Sequence, residues 1–263
     1  MIEIVRMPVA LLTLPLLLVS VDAGAPAPRV AAMVEAVKPA LPFPGADDSG
    51  AVPDGGGDDA KWFVVWPTDP EETQIIVRAN PLHPDTQKIV SAAEGSIQRA
   101  VAVAERKAQA AYDRALDELK RTGKTADLDG ISLDDEGAAG QRLDAELELT
   151  IELIEPAPFQ IASSIEPTVT GGSTGVTWQV LVPANAVQEG SGAERRDRFT
   201  ASQARLFFGA IPKPTVHRLD GQPRYAVNLS PAPGGFVVVI RGNESLLKQV
   251  LAGADWTRLA TIK

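Results

Sequence analysis

Ser173 sits in Gly171-Gly172-Ser173-Thr174-Gly175, a match to G-x-S-x-G, and Asp197 and His217 follow it in an order that a serine hydrolase can use. The chemistry would be acyl transfer, with a serine hydroxyl activated by an imidazole that a carboxylate orients. That motif works when a strand precedes the serine and a helix follows it, so that the nucleophile stands on a strained turn. Here Thr168–Thr170 leads in and Val176–Val182 leads out with β character. The glycines therefore read as a loop between strands, where positive φ is needed. Only His83 and His217 are available as imidazole bases or ligands. His83 lies between Leu82 and Pro84 at a helix entrance and His217 lies inside an expected strand, positions that suit structural or surface histidines.

Hard-cation chemistry has its own candidates. Thr125–Glu136, TADLDGISLDDE, places Asp127, Asp129, Asp134, Asp135 and Glu136 close together, and calcium takes several oxygens from loops of this kind. The EF-hand spacing is not met: a third oxygen position before the glycine is missing, and the glutamate comes too early for the bidentate site. An acidic solvated loop is the expectation. The carboxylates of 144–152 are similar, since i,i+2 neighbours on a strand are ~7 Å apart and meet Lys or Arg across strands. Trp62 and Trp66 share a strand face at ~13 Å, a spacing that can seat a glycan, although Phe63, Val64 and Val65 around them read as core. The chain has no cysteine, which removes disulfides, metal thiolates and a thiol nucleophile together. No cofactor motif is present.

The address is clearer than the chemistry. Residues 7–21, MPVALLTLPLLLVSV, form an apolar run of about 15 residues, shorter than the ~20 that cross a bilayer, and Val21-Asp22-Ala23 supplies the small residues a signal peptidase needs. A signal peptide over 1–23 implies export to a periplasm or the medium. Membrane attachment would follow only if the signal stayed uncleaved. The formal charge is −9, of which Glu3, Arg6 and Asp22 contribute a net of minus one, leaving the mature chain at −8. Such a charge repels phosphate backbones, so nucleic acid is not expected as a partner. Asn228 and Asn243 fit the N-glycosylation pattern, but an exported chain without disulfides points to a bacterial envelope.

Regular elements must position these groups. Residues 24–60 are rich in Pro, Gly and Asp and read as a tether, with a short helix near Val30–Val37 that Pro39 ends. Order is expected from Lys61, in strands at 62–66 and 73–79. From Pro84 to about Thr122 the apolar positions Ile89, Ala93, Ile97, Val101, Ala104, Ala108, Ala111, Ala115 and Leu119 recur at helical spacing, predicting an amphipathic helix of ~57 Å. Its stripe is mostly alanine, which lets another backbone approach closely.

Segment 143–155, LDAELELTIELIE, alternates apolar and polar residues and predicts a strand with one wet face. Further strands are expected at 159–164, 175–182, 215–219, 224–229, 235–241 and 256–262. Helices are expected after Thr200, through a Thr200-x-x-Gln203 capping box, and after Asn243. The fold class is α+β: mostly antiparallel sheet, one long amphipathic helix, and a C-terminal β-α-β unit. Residues 61–155 and 156–263 are two regions that can share one domain.

These readings favour an exported, non-catalytic envelope protein with an interaction or structural role, whose partner is a protein or envelope component or a second copy met through the 84–122 helix. The competing readings are an envelope serine hydrolase built on Ser173 and His217, and a calcium-dependent binding protein. Export predicts a mature chain that starts at Gly24, because a cut after Ala25 would meet Pro26. Intact-mass measurement of the secreted protein checks this. A membrane-bound chain retaining Met1 would refute it.

Overall fold

The computed structural model describes residues 27–46, 59–68, 72–123, 135–172, 175–189, 196–220, 224–230 and 234–261. It is an α+β protein whose strands pair antiparallel throughout the three sheets. The chain begins with α1 (Ala27–Val37) and a 3-10 turn, Lys38–Ala40, then β1 (Trp62–Val65), β2 (Gln74–Ala79), α2 (Pro84–Thr122) and α3 (Asp135–Leu147). There follow β3 (Glu148–Ile154), β4 (Phe159–Ala162), β5 (Thr168–Gly171), β6 (Trp178–Val182), β7 (Asn185–Glu189) and β8 (Arg196–Thr200). The last elements are β9 (Ser202–Phe208), β10 (Thr215–Arg218), β11 (Arg224–Asn228), β12 (Phe236–Gly242), α4 (Glu244–Gly253) and α5 (Thr257–Ala260).

The main sheet has seven strands in the order β1-β2-β3-β12-β9-β6-β5; β10-β11-β4 form a second sheet and β7-β8 a two-stranded ribbon. Alternation along each strand separates two cores. One face carries Val64, Ile75, Val77, Leu149, Ile151, Ala204, Leu206, Phe208, Val238 and Ile240, and is covered by Met33 and Val37 of α1, Leu246 and Val250 of α4, and Trp256 and Leu259. The other face carries Val180, Phe207, Val237 and Val239 under Ile161 and Val227 of the three-stranded sheet and Leu229 just beyond it. Residues from 61–155 and from 156–263 meet in the same core.

Four expectations need correction. The tether expected over 24–60 gives way, from residue 27 to 46, to packed structure: Met33, Ala36, Val37, Ala40 and Leu41 are buried. Asp255 N donates to Ala36 O at 2.9 Å, and the main chain at 44–46 runs beside β1, with Val64 N donating to Pro44 O. The many prolines suggested solvation, but the apolar residues between them recur at helical spacing and supply a core face. Pro39 does end the regular helix, since the 3-10 turn begins at Lys38.

Residues 143–147 are helical, and the strand begins only at Glu148. Leu143 and Leu147 satisfy helical as well as strand spacing, and the β-branched residues that favour a strand start at Thr150. Ladder partners also begin there, with Arg78 opposite Glu148 and Gly242 opposite Leu149.

The capping box at Thr200 does not open a helix, because β9 is flanked by β12 and β6 and takes a full ladder on both sides. Thr200 Oγ1 donates instead to Ala162 O at 2.7 Å. The last strand of the expected β-α-β unit is also absent: 257–260 is helix α5, and the buried Trp256 and Leu259 explain it. A spacing of three puts both on one face of a helix but on opposite faces of a strand.

The long helix follows its sequence closely. His83 caps it by accepting from Asp85 N at 3.2 Å, Pro84 opens it, and Gly123 closes it at φ 69° with its N–H on Leu119 O. Asn243 likewise caps α4, its Oδ1 accepting from Leu246 N at 3.1 Å.

The buried N-terminal helix predicts that Met33→Ala costs about 2–5 kcal/mol, the range for truncating a well-packed core side chain. Urea denaturation of the two proteins measures it. A change below ~0.5 kcal/mol would mean that α1 is not part of the folded core.

Candidate functional site

The second face of the main sheet is not apolar throughout. Strand register brings Glu152, Val239 and Arg205 into one row across β3, β12 and β9, and Thr150, Arg241 and Gln203 into the next, with Arg78 opposite Glu148 beyond. Beside these rows opens a cleft of about 380 Å³ lined by Gln141, Asp144 and Ala145 of α3, Glu148 and Thr150 of β3, Phe199 and Ala201 at β8, and Arg241 and Gly242 of β12. The volume lies within the range of small-molecule sites.

Positions 141, 144, 145 and 148 recur at i, i+3, i+4 and i+7, so the α3 face and its continuation into β3 supply one wall. Gln141 Oε1 accepts from Phe199 N at 3.1 Å and ties that wall to β8, while the Arg142 guanidinium stands 5.4 Å from the Phe199 ring centroid. Glycine is required at 242: φ is 124°, and a Cβ there would lie 2.1 Å from Glu148 O. Close approach at this point lets Asn243 N donate to Glu148 O at 2.8 Å.

Charges in the cleft differ in how they are answered. Glu148 accepts from Arg78 Nε at 3.1 Å and from Thr150 Oγ1 at 3.3 Å, the cross-strand neutralisation expected for this carboxylate row. Among the described residues, no ion pair joins Asp144 or Arg241 to any group. Arg205 shares the sheet face but does not line the cleft; its guanidinium is 3.5 Å from the centroid of Phe159 and its Nε donates to Gln203 Oε1 at 3.4 Å. Burial, and next the positive charge of Arg241, push the Arg205 guanidinium down to about 10, while Glu152 acts in the opposite direction.

Of the residues singled out in sequence, those that are described fall on different elements. Ser173 lies outside the described residues. Asp197 belongs to the β7-β8 ribbon, and His217 is exposed on β10 of the three-stranded sheet, its Nε2 3.2 Å from Thr215 Oγ1. Asp127, Asp129 and Asp134 lie outside the described residues, whereas Asp135 and Glu136 open α3. Among the described residues no group of three or more His, Asp or Glu side chains is arranged to hold a metal ion. His83 is the α2 cap, and Trp62 and Trp66 pack against the principal core rather than forming a free stacking platform.

Sequence reading passed over Arg241, Gln141 and Phe199, which carry no motif and converge only through tertiary structure. The usable signal was the i, i+4 spacing of Asp144 and Glu148, visible once 143–147 is read as helix. No family model matches the chain, and neither curated proteins nor solved structures show significant similarity to it.

The incomplete ligand pattern of the 127–136 segment predicts little response to calcium. A site held at 100 times its dissociation constant would add ~2.7 kcal/mol of stability. Melting in excess chelator and in millimolar calcium should therefore coincide. A rise of several degrees that Asp127→Asn with Asp129→Asn removes would establish a calcium site.

Proposed function

We propose that this is an exported, non-catalytic protein of a bacterial envelope that assembles with a second copy of itself through α2. One observation carries the reading: of the six large hydrophobic side chains exposed among the described residues, Tyr112, Leu116 and Leu119 lie on one face of this helix. The apolar run at 7–21 with its small-residue ending, and the absence of cysteine, support export.

Geometry explains the exposure. Pairing of Arg78 with Glu148 sets the departure of α2 and the arrival of α3 at the same end of the sheet. The 39 residues of α2 extend roughly 58 Å and the 13 of α3 roughly 20 Å, so α2 outruns its neighbour. Val101, Ala108, Ala111, Tyr112, Ala115 and Leu119 recur at helical spacing on the outrunning part. Polar residues surround this stripe, and an antiparallel two-fold pairing centred between Tyr112 and Asp113 sets Glu105 of one copy opposite Lys120 of the other. Self-complementary charge of this kind suits an isologous interface.

The test is Tyr112→Lys with Leu116→Lys. Both sites are exposed in the single chain, so the far-ultraviolet spectrum and melting should be retained. Two unpaired ammonium groups in the pairing stripe should weaken self-association about a hundredfold or more, read by sedimentation. A wild-type chain that sediments as a monomer at high concentration would overturn the reading.

A further inference from the structure

We infer that the cleft between α3 and the main sheet binds an amino-acid zwitterion, free or as a short peptide, with its ammonium group on Asp144 and its carboxylate on Arg241. The two side chains line one cleft of about 380 Å³ with opposite charges, yet they stand farther apart than the 4.0 Å of an ion pair. Asp144 projects from a helix and Arg241 from a central strand, so neither backbone is free to close the gap. A molecule that carries both charges, separated by a short covalent frame, satisfies both sides at once.

The remaining lining agrees with this class of ligand. Glu148 is already answered by Arg78 and Thr150, which leaves Asp144 as the carboxylate able to receive an ammonium group. Gln141, held by Phe199 N, offers an amide on the same wall, and the Phe199 ring gives an apolar surface for a side chain. Arg205 is a second guanidinium near Arg241 on the same sheet face. A carboxylate on Arg241 offsets that crowding of positive charge, whereas a purely cationic ligand would add to it. A simple anion would leave Asp144 unanswered and be repelled by it.

Calorimetric titration of the full chain with alanyl-alanine, N-acetyl-alanyl-alanine and alanyl-alanine amide tests the assignment. The unmodified dipeptide should bind, and each blocked form should bind about tenfold or more weakly, because each loses a charge-assisted hydrogen bond. Asp144→Asn should lower the affinity for the free dipeptide about tenfold or more without weakening the acetylated one, which loses a repulsion rather than a partner. Arg241→Gln should do the same for the amide. Both substitutions are at exposed side chains, and retained melting verifies that the fold is intact. If the dipeptide and glycine both fail to bind at millimolar concentration, or if the blocked forms bind as well as the free one, the inference is wrong. Equal binding of inorganic phosphate would make the cleft a simple anion site and also refute it. The Tyr112→Lys, Leu116→Lys chain should bind the dipeptide normally, so failure here is distinct from failure of the α2 interface.

Discussion

The structure depends on β12 being paired on both edges and buried on both faces. Phe236, Val237, Val238, Val239 and Ile240 are all buried, and the strand takes ladders from β3 on one side and β9 on the other. Each such side chain withdrawn from water contributes about 1.5–3 kcal/mol, but only if both faces are covered. Two separate covers follow. Helices α1, α4 and α5 lie on one face, where Phe208 and Phe236 stack at 4.8 Å with an interplanar angle of 7° and Trp256 packs at 6.2 Å. The three-stranded sheet lies on the other.

Where the second cover stops, the second face of the main sheet turns polar. Val237 and Val239 share a core with Ile161 and Val227 of the three-stranded sheet, and the next residue on that face, Arg241, reaches the cleft. Gly242 marks the same place: its backbone comes so near Glu148 O that no side chain fits, and the chain then turns into α4. The cleft is thus a consequence of how a central strand ends. Its α3 wall arises in the same way, because β3 begins only where β2 and β12 offer ladder partners, and the residues just before it remain helical.

The projecting helix answers to a different constraint. A helix that runs on past the end of a sheet can be sheltered only for as long as a neighbour accompanies it, and α3 is a third of its length. Alanine along the stripe keeps the exposed apolar area modest, so such a helix can stand in water while retaining a surface that another helix can approach closely. Tyr112, Leu116 and Leu119 supply the larger apolar side chains on the outrunning part.

Local signals in the sequence determined a great deal. The limits of α2 were legible because His83-Pro84 and Gly123 act on their own backbone, and the Asn243 cap was legible for the same reason. The α+β class and most strands were readable from alternating or continuous apolar runs, and the N-terminal helix from the spacing of Val30, Val34 and Val37. What only the tertiary structure decided were choices in which local preference is ambiguous or overruled. LDAEL is compatible with both periods, and ladder availability selects the helix; Thr200-x-x-Gln203 is a sound capping box that loses to two flanking strands; the proline-rich N-terminal segment joins the core because a sheet face awaits it. The cleft was equally invisible, since Asp144 and Arg241 are 97 positions apart in the chain. Their approach is set by strand register, which depends on every pairing between them rather than on any residue nearby.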